Sequence, residues 1–556
     1  MRVAKGERRD FIVQAASTDL ARAAVAKAGG RVTGELDIIR AVGASLDDSE
    51  LAALYQKPVE GMRVYEDSKV SASATSALPD TNYPNEVGAV PLHKGGLTGR
   101  GITVAVLDSG LWRERGPLQK TSYGKDPRVL AQYDAIQARA NPTNYDDGFG
   151  HGTHVSSIIA NAAVASTGRY QGVAPGVNLV SVKALDDNGG GRYFDVIRGI
   201  QWIVSNKSRY DIRVLNMSLS APVRSHYWED PLNQAVSAAW ASGIVVVVSA
   251  GNEGPAPMSI GVPGNNPYVI TVGAVTDSYR PMEPDQYRLA SFSAAGPTYE
   301  GFVKPEVVAM GGHVRAYAPD TSTLAREHPQ WVDSRVNDFT MSGTSQAAAV
   351  TSGVVALMLD VNPNLTPDQV KCRLMNSARP AVKSDGTLAY SVFQQGAGLV
   401  NARDAAYDTT NGCANVGLNV LLDLSGVKHF GGRANQDADG NFYIMAVSGQ
   451  SSSRGLLGGV LGGLGGLVGS LGQTLSAVPL LGNLLIGVAT LLDGETWDGS
   501  PPGATGYAWS NGYAWSNGYA WSNGYAWSNG YAWSNGYAWS NSSTVSSGSV
   551  EAVTQE

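Results

Sequence analysis

At 556 residues the chain has room for three or four structural units of about 150 residues each, which excludes a single small domain. Charged residues make up 16%, against a usual figure of about 25%, and the net charge of −7 comes from 41 basic and 48 acidic side chains with no basic run. That balance excludes sequence-independent nucleic-acid binding by phosphate neutralisation. Only two cysteines, Cys372 and Cys413, exclude a disulfide scaffold or a cysteine zinc cluster and leave one bridge or two thiols open.

Residues 1–10 are charged and lack the apolar core of a secretory signal peptide, so export is not read from the sequence as it stands. Residues 11–66 read as strand, helix, strand, strand, helix, strand. Phe-Ile-Val-Gln at 11–14 is apolar and extended, 19–28 is alanine-rich and stops at two glycines, and Ile-Ile-Arg-Ala-Val at 38–42 is β-rich. Asp47 followed by Glu50 is a capping box that opens a helix closed by Pro58. A Ser/Ala-rich stretch at 68–79 reads as an exposed linker. From residue 101 short β-branched runs recur at 102–107, 179–182, 214–217, 244–248 and 269–272, with helical patterns at 193–205, 232–241 and 346–359. Such runs suit strands buried on both faces. The fold class is therefore α/β with an open, mostly parallel sheet flanked by helices, whose ligand crevice lies at the carboxyl ends of the strands.

Three segments place polar residues at that crevice. Val-Ala-Val-Leu-Asp108-Ser-Gly ends a strand on a carboxylate, Gly-Phe-Gly-His151-Gly-Thr-His154 opens an apolar helix, and Met-Ser-Gly-Thr-Ser345 opens another. A serine hydroxyl needs a base to take its proton, and an imidazole needs a carboxylate to hold its tautomer. Asp108, His151 and Ser345 can supply all three groups.

These segments resemble the three active-site motifs of the subtilase family of serine endopeptidases over roughly residues 80–410. The resemblance implies that Asp108 orients the base, His151 is general base and acid, and Ser345 is the nucleophile, with His154 structural. Ser-Ala-Gly251-Asn252-Glu-Gly resembles the family's segment whose Asn donates to the oxyanion. Ser218 and Leu219, together with Gly190 and Gly191, match its substrate-lining edges, where an extended peptide adds as a strand; Gly251 joins this set. The expected partners are polypeptide substrates, with no nucleic acid, and the expected setting is secreted or cell-surface. No cofactor is expected: the Asn-rich insert that binds calcium in well-known relatives is lacking, and a weaker calcium site is assigned to no residue. Two departures stand out. Gln346 follows the nucleophile where many relatives have Met, and Ser220-Ala221 stands where Gly-Gly is common.

Residues 1–75, of ferredoxin-like α+β layout, then resemble an inhibitor-type propeptide with its linker: the enzyme's intramolecular inhibitor, cut within 68–79. The peptidase domain is placed at 76–410, followed by an extension at 411–450, a Gly/Leu-rich linker at 451–505, six Gly-Tyr-Ala-Trp-Ser-Asn copies at 506–541 and a tail at 542–556. Asn-Gln-Asp-Ala-Asp-Gly-Asn at 435–441 reads as a turn, since it lacks the distal Glu of an EF-hand loop. The repeats suit either a β array with an aromatic face for cell-wall or glycan contact or a low-complexity tail. The function rival is a catalytically idle scaffold that displays this tail.

Overall fold

The computed structural model of the chain describes residues 8–66, 81–384, 387–437, 439–444 and 544–546. The expected cleavage linker, the Gly/Leu-rich stretch and the six repeats lie outside these residues. The chain divides into two units, Met1–Ser76 and Ala77–Glu556.

In the first unit β1 (Arg9–Gln14), β2 (Arg31–Leu36), β3 (Ala41–Leu46) and β4 (Arg63–Glu66) form an antiparallel sheet in the order β2-β3-β1-β4. Helices Thr18–Lys27 and Asp48–Gln56 connect them, the second opened by the expected capping box of Asp47 and Glu50. The β-rich run at 38–42 differs from expectation. A single turn, Asp37–Ile39, precedes β3, and Arg40 sits in the left-handed region at φ 54°, which reverses the chain before the strand begins. Val13, Val25, Val42, Leu46 and Leu54 form the core of this unit.

The second unit is built on a nine-stranded sheet. Its members are β5 (Thr103–Asp108), β6 (Val129–Asp134), β7 (Arg139–Ala140), β8 (Asn178–Lys183), β10 (Ile212–Met217), β11 (Val245–Ser249), β12 (Ile270–Thr276), β13 (Arg288–Leu289) and β14 (Val307–Met310); a short strand β9 (Gly190–Arg192) lies outside it. The order is β13-β12-β11-β10-β5-β8-β6-β7, with β14 also on β12, and only β7 and β13 pair antiparallel. Every residue of β5, β11 and β12 is buried, which is why these segments carry unbroken β-branched runs rather than an alternating pattern. After β5 the chain lays β6 and β8 on one side, then β10, β11 and β12 on the other. The strand order therefore reverses between β5 and β10, the place where open α/β sheets form their crevice.

Helices Tyr193–Ser205 and Pro231–Ala241 cover the sheet, while helix Thr344–Val361 runs through the core with almost every side chain buried. Asp360, near the end of that helix, accepts the backbone N–H groups of Thr98, Gly99 and Arg100. Beyond it, helix Pro367–Asn376 is pinned by a disulfide from Cys372 to Cys413, with Cα atoms 5.1 Å apart. Beside that bridge a buried Glu306 carboxylate accepts from Lys304 at 2.6 Å and pairs with Lys371 at 2.8 Å. Burial works against the charge on Glu306, yet the two ammonium groups hold its carboxyl below the usual range; burial pushes Lys304 down to about 7. Of the 435–441 segment, Asn435 and Gln436 lie in the strand Ala434–Gln436, which pairs antiparallel with Phe442–Ile444, and beyond that strand the Asp437 carboxylate accepts the N–H groups of Asp439 and Asn441.

Candidate active site

β5 and β10 are neighbours, so their carboxyl ends bring Asp108 and Ser218 to the same rim. β11 lies next to β10 and delivers Gly251 and Asn252 there. Helix His151–Ala160 starts against the turn after β5. This contact needs Gly152, because a Cβ there would collide with the Gly110 carbonyl.

His151 Nδ1 lies 2.8 Å from Asp108 Oδ1, and neither side chain is exposed to solvent by more than 1%. Asp108 Oδ1 also accepts the Ser109 N–H at 2.7 Å, so the carboxylate cannot swing away from the ring. The ring's other nitrogen, Nε2, is buried and has no hydrogen-bond partner among the described residues. Ser345 is the second residue of helix Thr344–Val361, which starts two residues earlier than the sequence pattern suggests. Its hydroxyl donates to the Ser218 carbonyl at 3.2 Å, while Ser218 Oγ donates to the Ser345 carbonyl at 2.8 Å. Asn216 donates to Ser218 Oγ and accepts from Ser352 Oγ, so the end of β10 and the first turns of this helix are locked together.

Asn252 is oriented by a neighbour. Its Oδ1 accepts both the backbone N–H and the hydroxyl of Thr344, each at 2.9 Å. A backbone N–H can only donate, so Oδ1 must face Thr344 and the amide NH2 must face away from it. Thr344 Oγ1 also accepts the Gly251 N–H at 3.2 Å. Gly251 itself needs φ 109° to make the turn after β11. Ser218 and Leu219 are buried at the end of β10, and Gly190 and Gly191 lie on β9.

His154 is buried, with Nε2 on the Phe339 carbonyl at 3.0 Å. Burial and then the adjacent His151 push it down to about 3, so it stays neutral and structural. His93, His226, His313 and His429 pair with Val173 O, Glu300, Asp277 and Asp423 respectively, all outside this site. The Gln346 side chain is buried and donates to Met341 Sδ at 3.1 Å. The Ser220 hydroxyl occupies the space over Gly261 and Gly251, where a Cβ on either glycine would meet it. Among the described residues no three His, Cys, Asp or Glu side chains cluster as metal ligands.

Two residues that the sequence reading passes over also build the site. Asp147 is 2% exposed, and both its oxygens are fully used. Oδ1 accepts from Ser109 Oγ and Gly150 N, and Oδ2 from Thr153 N and Thr153 Oγ1, at 2.6–2.8 Å. It thus caps the His151 helix from outside and ties it to the residue after Asp108. The sequence signal was an Asp three residues before Gly150 and six before Thr153, in the frame of a helix start. Lys183, opposite Asp108 in the sheet, donates to the Ser109 carbonyl at 2.7 Å.

The chain is similar to several known proteins. The Subtilase family matches residues 99–398, more than half of the chain. Serine protease AprX of Bacillus subtilis is 38% identical over 316 residues, which cover 56% of this chain and 67% of that protein. Subtilisin E of the same organism is 31% identical over 385 residues, covering 69% and 84%. Among solved structures, fervidolysin from Fervidobacterium pennivorans, a keratinolytic enzyme, matches with a TM-score of 0.44 and 22% identity over 73% of this chain and 62% of that one. With a family match over its whole catalytic sheet and a subtilisin aligned along most of its own length, the chain belongs to the subtilase family of serine proteases.

Proposed function

We propose that this chain is an endopeptidase that cleaves polypeptides through an acyl-enzyme on Ser345, and that it is made as a zymogen which processes itself. The observation that carries the reading is the buried Asp108–His151 pair at the rim where the Ser345 helix begins. In the first step Ser345 Oγ leaves the Ser218 carbonyl, passes its proton to His151 Nε2 and attacks the substrate carbonyl. Asp108 holds the Nδ1–H tautomer and stabilises the imidazolium. The Asn252 amide, turned outward by Thr344, donates to the oxyanion, aided by the positive end of the dipole of the Ser345 helix. His151 then protonates the leaving amine, and water repeats the sequence to release the acid.

An extended substrate would lie between the β9 edge at Gly190 and Gly191 and the Ser218-Leu219 edge, with Gly251 lining the floor. The βαββαβ layout of residues 8–66 supports a propeptide role for the first unit, with cleavage within 68–79. The bridge between Cys372 and Cys413 supports maturation in an oxidising, extracytoplasmic setting. The repeats are proposed as a cell-wall or glycan contact. The test is covalent labelling by a serine-directed phosphonate alongside Ser345→Ala. Label should appear on Ser345 alone, and the variant should neither hydrolyse peptide nor lose its first unit. Hydrolysis or normal processing by purified Ser345→Ala would overturn the reading.

A further inference from the structure

The strand Thr544–Ser546 pairs antiparallel with β9, Thr544 opposite Arg192, Val545 opposite Gly191 and Ser546 opposite Gly190. This is the only ladder β9 makes among the described residues, since β9 lies outside the nine-stranded sheet. β9 itself is anchored to the catalytic rim. The chain leaves β8 with the N–H groups of Ala184 and Leu185 on the Asp108 carbonyl, at 2.8 and 3.2 Å, and reaches β9 through the turn at 186–189. Asp186 closes that turn, donating its N–H to the Gly190 carbonyl and accepting the Gly190 N–H on its carboxylate. Gly189 packs on Phe149, whose ring lies 6.3 Å from that of His151.

We propose that residues 544–546 are an intramolecular ligand of the substrate edge, which adds to β9 where an extended polypeptide would add and so competes with substrate. The inference rests on the reading of β9 as a substrate edge given above. Two features favour it. Gly190 and Gly191 present bare backbone, so the edge selects an extended chain by main-chain hydrogen bonds rather than by side chain. The segment Ser-Ser-Thr-Val-Ser-Ser at 542–547 has no charge and no proline, and its Thr-Val pair is β-branched, as a strand that adds to an edge requires. Because the ligand is tethered, its occupancy is set by an effective concentration that dilution does not change. It therefore raises the apparent KM for external substrate without altering the chemical step.

The test uses the full chain and a full-chain Thr544→Pro/Val545→Pro variant. Successive N–H groups of a strand point to opposite sides, so the double change removes whichever one faces β9. The variant should show a KM for a soluble peptide substrate at least about threefold lower at unchanged kcat. A synthetic peptide of residues 542–549 added to the variant should inhibit competitively. Equal KM values for the two proteins, or no inhibition by the peptide at millimolar concentration, would overturn the proposal. So would a KM for the full chain that changes with enzyme concentration, since that would place a second copy's segment in the site. Ser345→Ala in both backgrounds separates the two readings. Activity that survives it removes the catalytic assignment, whereas equal KM with activity that depends on Ser345 removes only the tail.

Discussion

Asp147→Asn tests whether the His151 helix is held in place by one buried carboxylate. In the native site four donors converge on Asp147: two hydroxyls and two backbone N–H groups, one N–H on each oxygen. An asparagine amide keeps the volume but turns one oxygen into NH2. Whichever way it sits, either the Gly150 or the Thr153 N–H then faces another donor. An orphaned buried donor costs about 1–3 kcal/mol, and the remaining bonds lose their charge assistance, for a total of about 3 kcal/mol. In a domain this large that lowers Tm by on the order of 5 °C. The same loosening frees the start of the helix relative to Asp108, so kcat should fall about 10- to 100-fold at unchanged KM. Melting is measured in a Ser345→Ala background to prevent self-digestion, and kinetics on a short peptide in the parent. An unchanged Tm would refute the hydrogen-bond accounting. A lowered Tm with full kcat would make Asp147 a helix cap with no hold on the base.

Asn252→Ala should lower kcat by roughly 10²–10³ with KM nearly constant, and Thr344→Val, which removes one of the two bonds that aim the amide, should show a smaller loss of the same kind; steady-state kinetics on both checks the oxyanion assignment. Mild peroxide should leave activity intact, because the residue after Ser345 is Gln346 and Met341 is fully buried beneath it, whereas Gln346→Met should become sensitive. Equal inactivation rates for the two proteins would sink that account. Burial and the neighbouring Asp277 push the Glu86 carboxyl up to about 7. The folded state therefore holds this proton more tightly than the unfolded chain, so the stabilising contribution is full below about pH 4.5 and lost as pH rises through 7. Glu86→Gln should raise Tm at pH 8, with the gap closing by pH 5; a gap independent of pH would show that the carboxyl titrates normally.

What was legible in the sequence was whatever the chain encodes locally. Strands β5, β10, β11 and β12 announce themselves because burial on both faces demands continuous apolar runs, and Asp108, His151 and Ser345 each stand in a compact motif at the end or start of an element. The capping box at Asp47 is likewise a local pattern. Contacts made across the fold leave no such trace. Asp147 has acceptor geometry readable only once Ser109 and Thr153 are brought together, and the Lys304, Glu306 and Lys371 cluster joins residues up to 67 positions apart that look like ordinary surface charges. The pairing of Thr544–Ser546 with β9 bridges more than 350 residues, and a three-residue strand in a Ser-rich stretch has no period to reveal it.

Helix Thr344–Val361 combines two properties that usually belong to different proteins. It is apolar enough, at a mean hydropathy of 1.3, to pass for a membrane span, yet 89% of it is enclosed by the molecule's own sheet and helices. Such a segment has no stable existence in water on its own, and its first turn carries Ser345. With Ser345 as the proposed nucleophile, the reactive group would come into being only when the surrounding layers have closed around its helix, and would be lost as soon as they part. A partly assembled chain should thus be harmless to its neighbours, and in a purified preparation only molecules that have reached the native state should take a covalent label on Ser345.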